Sequence, residues 1–393
     1  MKIEKIYIGG WFQRTMLHLT EIYNLLESGE SRLKLDKHKL AAYRDTLNIE
    51  TLNLGVDGFE FIEFSTKDGI DVKIIEDGLI TLSSKNSDDK AFAPTIDKLA
   101  NYYEEKLSPA ISYIFSLGAP IPKELANIKT VYPYLIVLHN ASKDEIEALL
   151  SQTEGQNYYE SKNESFEVLR SEKYYFINHK HKSLGKIERY IEERIFAREF
   201  KGQLHHYLDL HRLIWEKIAA VKEKTKVRGK DIVEFSSKID DYAKTINLVD
   251  SRINQMSTYL RTREKIAKSD PDLKQFLDAM EYRYETLGDT LAYIQQIWTM
   301  TKNYVNSARS LFSDLQSEIT QKSVSNLTVV TSMGVGASLI ALFTTETMPE
   351  FTFFGVIYFF VLAGLGLIVS QVLKFIGARQ KYEVADKDYE KIK

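Results

Sequence analysis

Two stretches decide how this chain is read: residues 323–345, SVSNLTVVTSMGVGASLIALFTT, and residues 351–373, FTFFGVIYFFVLAGLGLIVSQVL. Each is 23 residues long and contains no Asp, Glu, Lys or Arg. A run of ~20 apolar residues at ~1.5 Å rise crosses a hydrocarbon core of ~30 Å. Only ETMPE, residues 346–350, separates the two stretches, so they read as a helical hairpin crossing a bilayer twice. A buried hairpin in a water-soluble protein is the plainer alternative, but buried helices are usually shorter. Lys322 precedes the first stretch, and Lys374, Arg379 and Lys381 follow the second, whereas the connector carries two glutamates and no basic residue. The positive-inside rule therefore predicts a multi-pass protein of the cell inner membrane, with both termini cytoplasmic and the acidic connector outside. The N-terminal MKIEK has no apolar segment, and no cleavable signal peptide is expected.

The rest of the 393-residue chain has room for two cytoplasmic domains. It has no cysteine, so neither disulfide nor thiolate chemistry is available, which suits a reducing compartment. With 52 basic and 55 acidic residues the net charge is −3, and nothing points to direct nucleic-acid binding. Gly9-Gly10 lacks the spacing of a dinucleotide or phosphate-binding loop, and there is no HExxH and no Ser-His-Asp set that can be ordered. The chain is not expected to be an enzyme.

Residues 1–180 read as a mixed α+β (α/β) domain. KIYIGGW, residues 5–11, is a first strand with Gly9-Gly10 expected to allow a sharp exit, and residues 16–26 have helical spacing. Residues 59–65, 71–76 and 79–84 form a meander whose turns are Asp68-Gly69 and Asp77-Gly78, a dipeptide suited to positive-φ hairpins. A helix is predicted over 94–116 with an interruption near Pro109, then a buried strand over 131–139. Ser142 with Glu145 makes a capping box for the next helix, and 158–178 holds two more strand-like runs. Residues 181–270 form a long antiparallel helical hairpin broken at 227–230, and Ser269-Asp270-Pro271-Asp272 marks a new helix start. From there an apolar stripe runs through Leu273, Phe276, Met280, Leu287, Leu291, Ile294, Trp298, Val305, Ala308, Phe312, Leu315 and Ile319. Such a stripe packs along its length against other helices. One stalk helix over 271–343 would continue into the first span, followed by an external loop (344–350), the second span (351–373) and a cytoplasmic tail (374–393). At about 70 residues the helix would reach roughly 105 Å, and its seam calls for neighbours, most simply copies of itself.

The stretch Asn326-Leu327-Thr328-Val329-Val330, the segment Met348-Pro349-Glu350 and the aromatic-rich second span resemble the CorA family of divalent-cation channels and transporters. The resemblance implies a homopentamer whose first span lines the pore and whose second faces lipid. It implies magnesium as a permeant or regulatory ion. The family's Gly-Met-Asn mouth is absent: the corresponding positions read Leu342-Phe343-Thr344, which argues against ordinary magnesium transport. CorA-like proteins without that motif occur as membrane effectors of type III CRISPR defence, and this likeness implies gating by a nucleotide messenger, S-adenosylmethionine joined to AMP.

Ser325, Thr328 and Ser332 fall at i, i+3 and i+7, and Val335 and Leu339 continue that helical face. As a pore lining it would offer hydroxyls to hydrated ions and aliphatics to a dewetting gate. The plainer reading is that the hydroxyls bond back to their own helix. Glu346 and Glu350 would form acidic rings at the outer mouth, or serve as ordinary polar connector residues. Asp270 and Asp272 would bind regulatory divalent cations between subunits, or simply complement a helix start. His205, His206, Asp209 and His211 cluster on one helix, but only His205 and Asp209 share a face, so they are expected to be structural.

Overall fold

The computed structural model describes residues 2–12, 19–86, 91–115, 134–153, 158–162, 166–171, 173–180, 184–222, 226–269, 277–344 and 380–383, with a discontinuous set between 353 and 379. The chain divides into two compact units, Met1–Leu208 with Ser251–Gln295, and Asp209–Asp250 with Gln296–Lys393. The boundaries between these units fall inside the long helices.

The first unit is built on β1 (Lys2–Trp11), a strand whose alternate residues face opposite sides of a sheet. Eight further strands complete that sheet: β2 (Ile49–Asp57), β3 (Phe59–Thr66), β4 (Asp71–Ile75), β5 (Leu79–Lys85), β6 (Tyr134–His139), β7 (Tyr158–Lys162), β8 (Phe166–Arg170) and β9 (Tyr174–His179). Their order is β2-β3-β4-β5-β1-β6-β9-β8-β7, antiparallel throughout except for the β6–β9 pair. Ile6 and Ile8 join a core with α1 (Leu19–Ser28), α2 (Lys37–Thr46), α3 (Ala93–Tyr102), α4 (Ser108–Phe115) and α5 (Lys143–Leu150). The opposite face meets α6 (Gly185–Lys222), where the Trp11 ring packs edge-on against Phe196 at 5.2 Å.

The expected meander is present, and Gly69 and Gly78 occupy the positive φ values, 72° and 97°, that its turns require. The Ser142–Glu145 capping box also forms. Several expectations need correction. Gly9-Gly10 makes no exit, because β1 runs on to Trp11 paired with β5. A Cβ at Gly9 would lie 2.5 Å from the Ile80 carbonyl oxygen and 3.0 Å from Ile195, so this glycine lets strand and helix approach closely. The helix near Pro109 is not interrupted. It passes through a π-helical turn, Tyr103–Leu107, into α4, and widening the turn is one way to relieve the clash of a proline ring with the carbonyl four residues back. Residues 158–178 hold parts of three strands, not two. β2 and α2 complete the unit; β2 shows its signal as Leu52, Leu54 and Val56 alternating with Thr51, Asn53 and Gly55.

In the second unit α6, α7 (Gly229–Ser269) and α8 (Leu277–Thr344) pack through specific pairs. Trp215 stacks on Tyr304 at 4.4 Å, and Lys222 Nζ sits 4.2 Å from the Tyr304 ring centre. Asp240 and Asp250 of α7 bind Arg309 and Lys302 of α8 at 2.8 and 2.9 Å, an antiparallel succession. Residues 227–230 are not simply a turn. β10 (Lys226–Arg228) pairs with β11 (Lys381–Glu383), and Lys322 lies 5.4 Å from the Tyr382 ring centre. The apolar stripe is buried from Leu287 to Leu315; the side chains of Leu273, Phe276 and Met280 lie outside the described residues.

Glu199, on α6 in the first unit, is 9% exposed. Burial pushes its carboxyl from an ordinary 4.5 up to about 8, with Arg198 opposing weakly. The folded state therefore keeps a proton that the unfolded state releases, and stability falls as pH rises from about 4.5 to about 8. Glu199→Gln should remove that loss. Its thermal midpoint should exceed the parent's at pH 8, by a difference on the order of a few kcal/mol, and converge with it towards pH 5. A gap of equal size at both pH values would contradict the burial account.

Candidate functional site

The expected pore face lies on α8, and the described structure makes this helix continuous from Leu277 to Thr344. Ser325, Thr328, Ser332 and Val335 are exposed in the single chain. Val324, Leu327 and Val335 are each more than half exposed, an unusual state for large apolar residues in the absence of a partner or lipid. Thr328 Oγ1 donates to the Val324 carbonyl at 3.0 Å, and Thr331 and Ser338 donate back one turn in the same way. The plainer reading of the hydroxyls thus applies at Thr328, whose oxygen still has lone pairs to offer. Leu339, Leu342, Phe343 and Thr344 are helical in backbone, with their side chains outside the described residues. Glu346, Glu350, Asp270 and Asp272 also lie outside them, so no geometry bears on the acidic rings or on the divalent sites at the stalk head. The same is true of much of the second span, though Phe353, Phe360 and Ile368 within it are exposed. No helix among the described residues is long and apolar enough to cross a membrane.

At its other end α8 enters a polar centre that the sequence did not announce. The Asp77-Gly78 turn between β4 and β5 directs the Asp77 carboxylate at Arg263 of α7, with Nε at 2.5 Å and Nη2 at 3.0 Å. Arg263 Nη1 donates to Glu193 of α6 at 2.8 Å, and Tyr284 of α8 donates its hydroxyl to the other oxygen of Glu193. Arg263 is 2% exposed and Asp77 1%. Phe196 and Phe59 place ring centres 4.5 and 5.5 Å from the guanidinium. Burial alone would lower the Arg263 pKa, but Asp77 and then Glu193 outweigh it and hold the charge firmly. Burial, then the neighbouring Glu193 carboxylate, raises the Tyr284 phenol well above its ordinary value, so it stays a hydrogen-bond donor. Trp11 closes the corner, its indole N–H donating to the Asp77 carbonyl at 2.9 Å. One cation thus joins a sheet turn to three helices.

The first unit also carries an open groove of about 470 Å³ beside the π-helical turn, lined by Asp68, Ile70, Lys98, Asn101, Tyr102, Glu105 and Lys106. That volume falls within the usual small-ligand range of ~300–1,000 Å³, and π-helical turns recur at functional sites. Lys98 is held by the Asp68 carbonyl, and the Tyr102 hydroxyl donates to the Leu47 carbonyl at 2.8 Å. His205 and Asp209 are exposed on α6, and among the described residues they belong to no metal-binding group.

No family model matches this chain, and no curated protein matches it in sequence. Among solved structures it is similar to the CorA magnesium transporter from Methanocaldococcus jannaschii, with a TM-score of 0.32 and 10% identity. That likeness covers 62% of this chain and 89% of the other. At that score it carries no argument.

Removing the Arg263 charge would leave two carboxylates buried side by side. Arg263→Met should cost ~3–5 kcal/mol, read as a lower denaturant midpoint for the first unit, with the loss shrinking as pH falls and Glu193, whose pKa burial raises, takes up a proton. Adding Asp77→Asn and Glu193→Gln should recover most of it. A single variant as stable as the parent would remove the charge network from the account.

Proposed function

We propose that this chain is a homo-oligomeric, pentameric, CorA-like membrane cation channel gated through its cytoplasmic unit. The observation that carries this reading is the continuity of α8. The same helix that holds Tyr284 against Glu193 runs unbroken into the uncharged 323–345 stretch. Packed helices switch between discrete arrangements, so a helix shared by a sensing unit and a membrane stretch is suited to gating. The exposed apolar side chains of 324–335 and 353–376 suit contact with further copies and with lipid.

Within this class the chain is proposed to serve antiviral defence as a type III CRISPR effector switched by a nucleotide messenger, S-adenosylmethionine joined to AMP. Leu342-Phe343-Thr344 at the outer mouth lacks the asparagine that would meet hydrated magnesium, which disfavours the second reading, a magnesium transporter. The groove has the size for a small ligand, and Lys98 and Lys106 would meet its phosphate, with Asp68 and Glu105 in the same lining left to face its amino or hydroxyl groups.

Flux through the reconstituted full chain, with magnesium, other ions and the messenger varied in turn, tests the reading. Messenger-dependent flux supports the effector; constitutive magnesium flux supports the transporter; no flux under any condition leaves a membrane-anchored scaffold. Ser332→Trp should block conduction at unchanged ligand binding, and unchanged conductance would place the pore on another face. Lys98→Glu with Lys106→Glu should abolish the response to the messenger and spare folding. A response of parental size would put the ligand elsewhere.

A further inference from the structure

The sheet brings together two histidines and a glutamate that are far apart in sequence. β6 and β9 run parallel in a register that sets His139 beside His179 as the last residue of each strand, and β1, on the other side of β6, contributes Glu4 from the register shift between Ile3 and Lys5. The two imidazole rings are 5.1 Å apart at 68°. Glu4 Oε2 lies 3.0 Å from His179 Nε2, and one ligating atom from each of the three residues lies within 4.8 Å of the others. His179 is 1% exposed, and Glu4 and His139 are half-buried.

The corner that holds these side chains is rigid for local reasons. Asn178 accepts from the Ala141 N–H and donates to the Ala141 carbonyl, both at 2.9 Å. The Asn140 N–H donates to the His179 carbonyl at 3.0 Å. Asn140 adopts φ 50°, a left-handed turn that asparagine tolerates. Its side-chain Nδ2 lies 3.0 Å from His139 Nε2, while His139 Nδ1 is buried with no hydrogen-bond partner among the described residues. Amide nitrogen and oxygen exchange places by a half-turn of the side chain; turned so, the Asn140 oxygen accepts a hydrogen bond from His139 Nε2–H and leaves the Nδ1 lone pair for a metal ion. Imidazoles that ligate metals are held in this way, the second nitrogen donating to a carbonyl or carboxylate.

We propose that Glu4, His139 and His179 bind a zinc-class divalent cation, leaving one coordination position for water. Two nitrogens and one carboxylate oxygen match zinc and its neighbours and not magnesium, which takes oxygen ligands. Tetrahedral bonds of ~2.0–2.1 Å separate ligand atoms by about 3.3 Å, so the Glu4–His179 spacing is already close and His139 has a small distance to close. The ion would bridge three adjacent central strands at one end of the sheet. This site is independent of the channel reading and stands or falls without it.

The test uses the full-length purified chain, tag removed, with Zn²⁺ and Co²⁺ as probes. Zinc should bind at one equivalent per chain and raise the thermal midpoint, and cobalt should give the visible absorption of a tetrahedral N/O site. His139→Ala, at the half-buried ligand, should fold and lose both signals. Asn140→Gly keeps the turn and removes the amide, and it should weaken zinc by ~10–100-fold. His205→Ala with His206→Ala should change nothing. Absence of a one-equivalent site in the parent, or zinc stabilisation that persists in His139→Ala, would overturn the assignment.

Discussion

A guanidinium sealed from water cannot lose its proton and cannot stay unpaired. Arg263 sits under both constraints, and its surroundings follow from them. Two carboxylates must face it, so the β4–β5 turn and α6 must approach α7; one oxygen of Glu193 is then left to be satisfied, and Tyr284 of α8 supplies the donor. Hydrophobic burial would tolerate some sliding of helix on sheet. An ion pair with fixed donor directions tolerates much less, which is how a polar centre specifies one arrangement among several well-packed ones.

Such a centre need not be the most stable way to fill the space. An apolar set of equal volume often matches a buried ion pair. Its distinguishing property is that it fails abruptly: a bidentate contact is made or lost and does not stretch. A helix anchored by one end to such a contact has two well-separated conditions available to it, which is the physical requirement for a switch.

Local chemistry was legible in the sequence and long-range partnership was not. Asp77-Gly78 announced a tight turn because glycine takes positive φ, and it announced nothing about the aspartate's partner 186 residues away. Ser142 and Glu145 could be paired on paper because a capping box closes within three residues. The α8 stripe was legible because its period is local, and each described member from Leu287 to Leu315 is buried. Gly9-Gly10 was misread: a glycine pair after a strand suggests an exit, while the need for close approach to Ile195 appears only once α6 is in place. His139 and His179 carry no signal at all, since only a parallel register between strands 40 residues apart brings them together. The hydroxyl face of α8 was legible as a face, and Thr328 on it bonds back to the Val324 carbonyl of its own helix.

The small β10–β11 ladder joins the flanks of the stretch that holds both uncharged runs and their acidic connector. Lys322 is the last residue before that region and Tyr382 follows it, yet the ammonium of one lies against the ring of the other. Gly229 also donates its N–H to the carbonyl of Gln380. The ladder and the cation–π contact thus tie the two flanks of this stretch to each other, so that neither flank can move away without breaking strand pairing at the other.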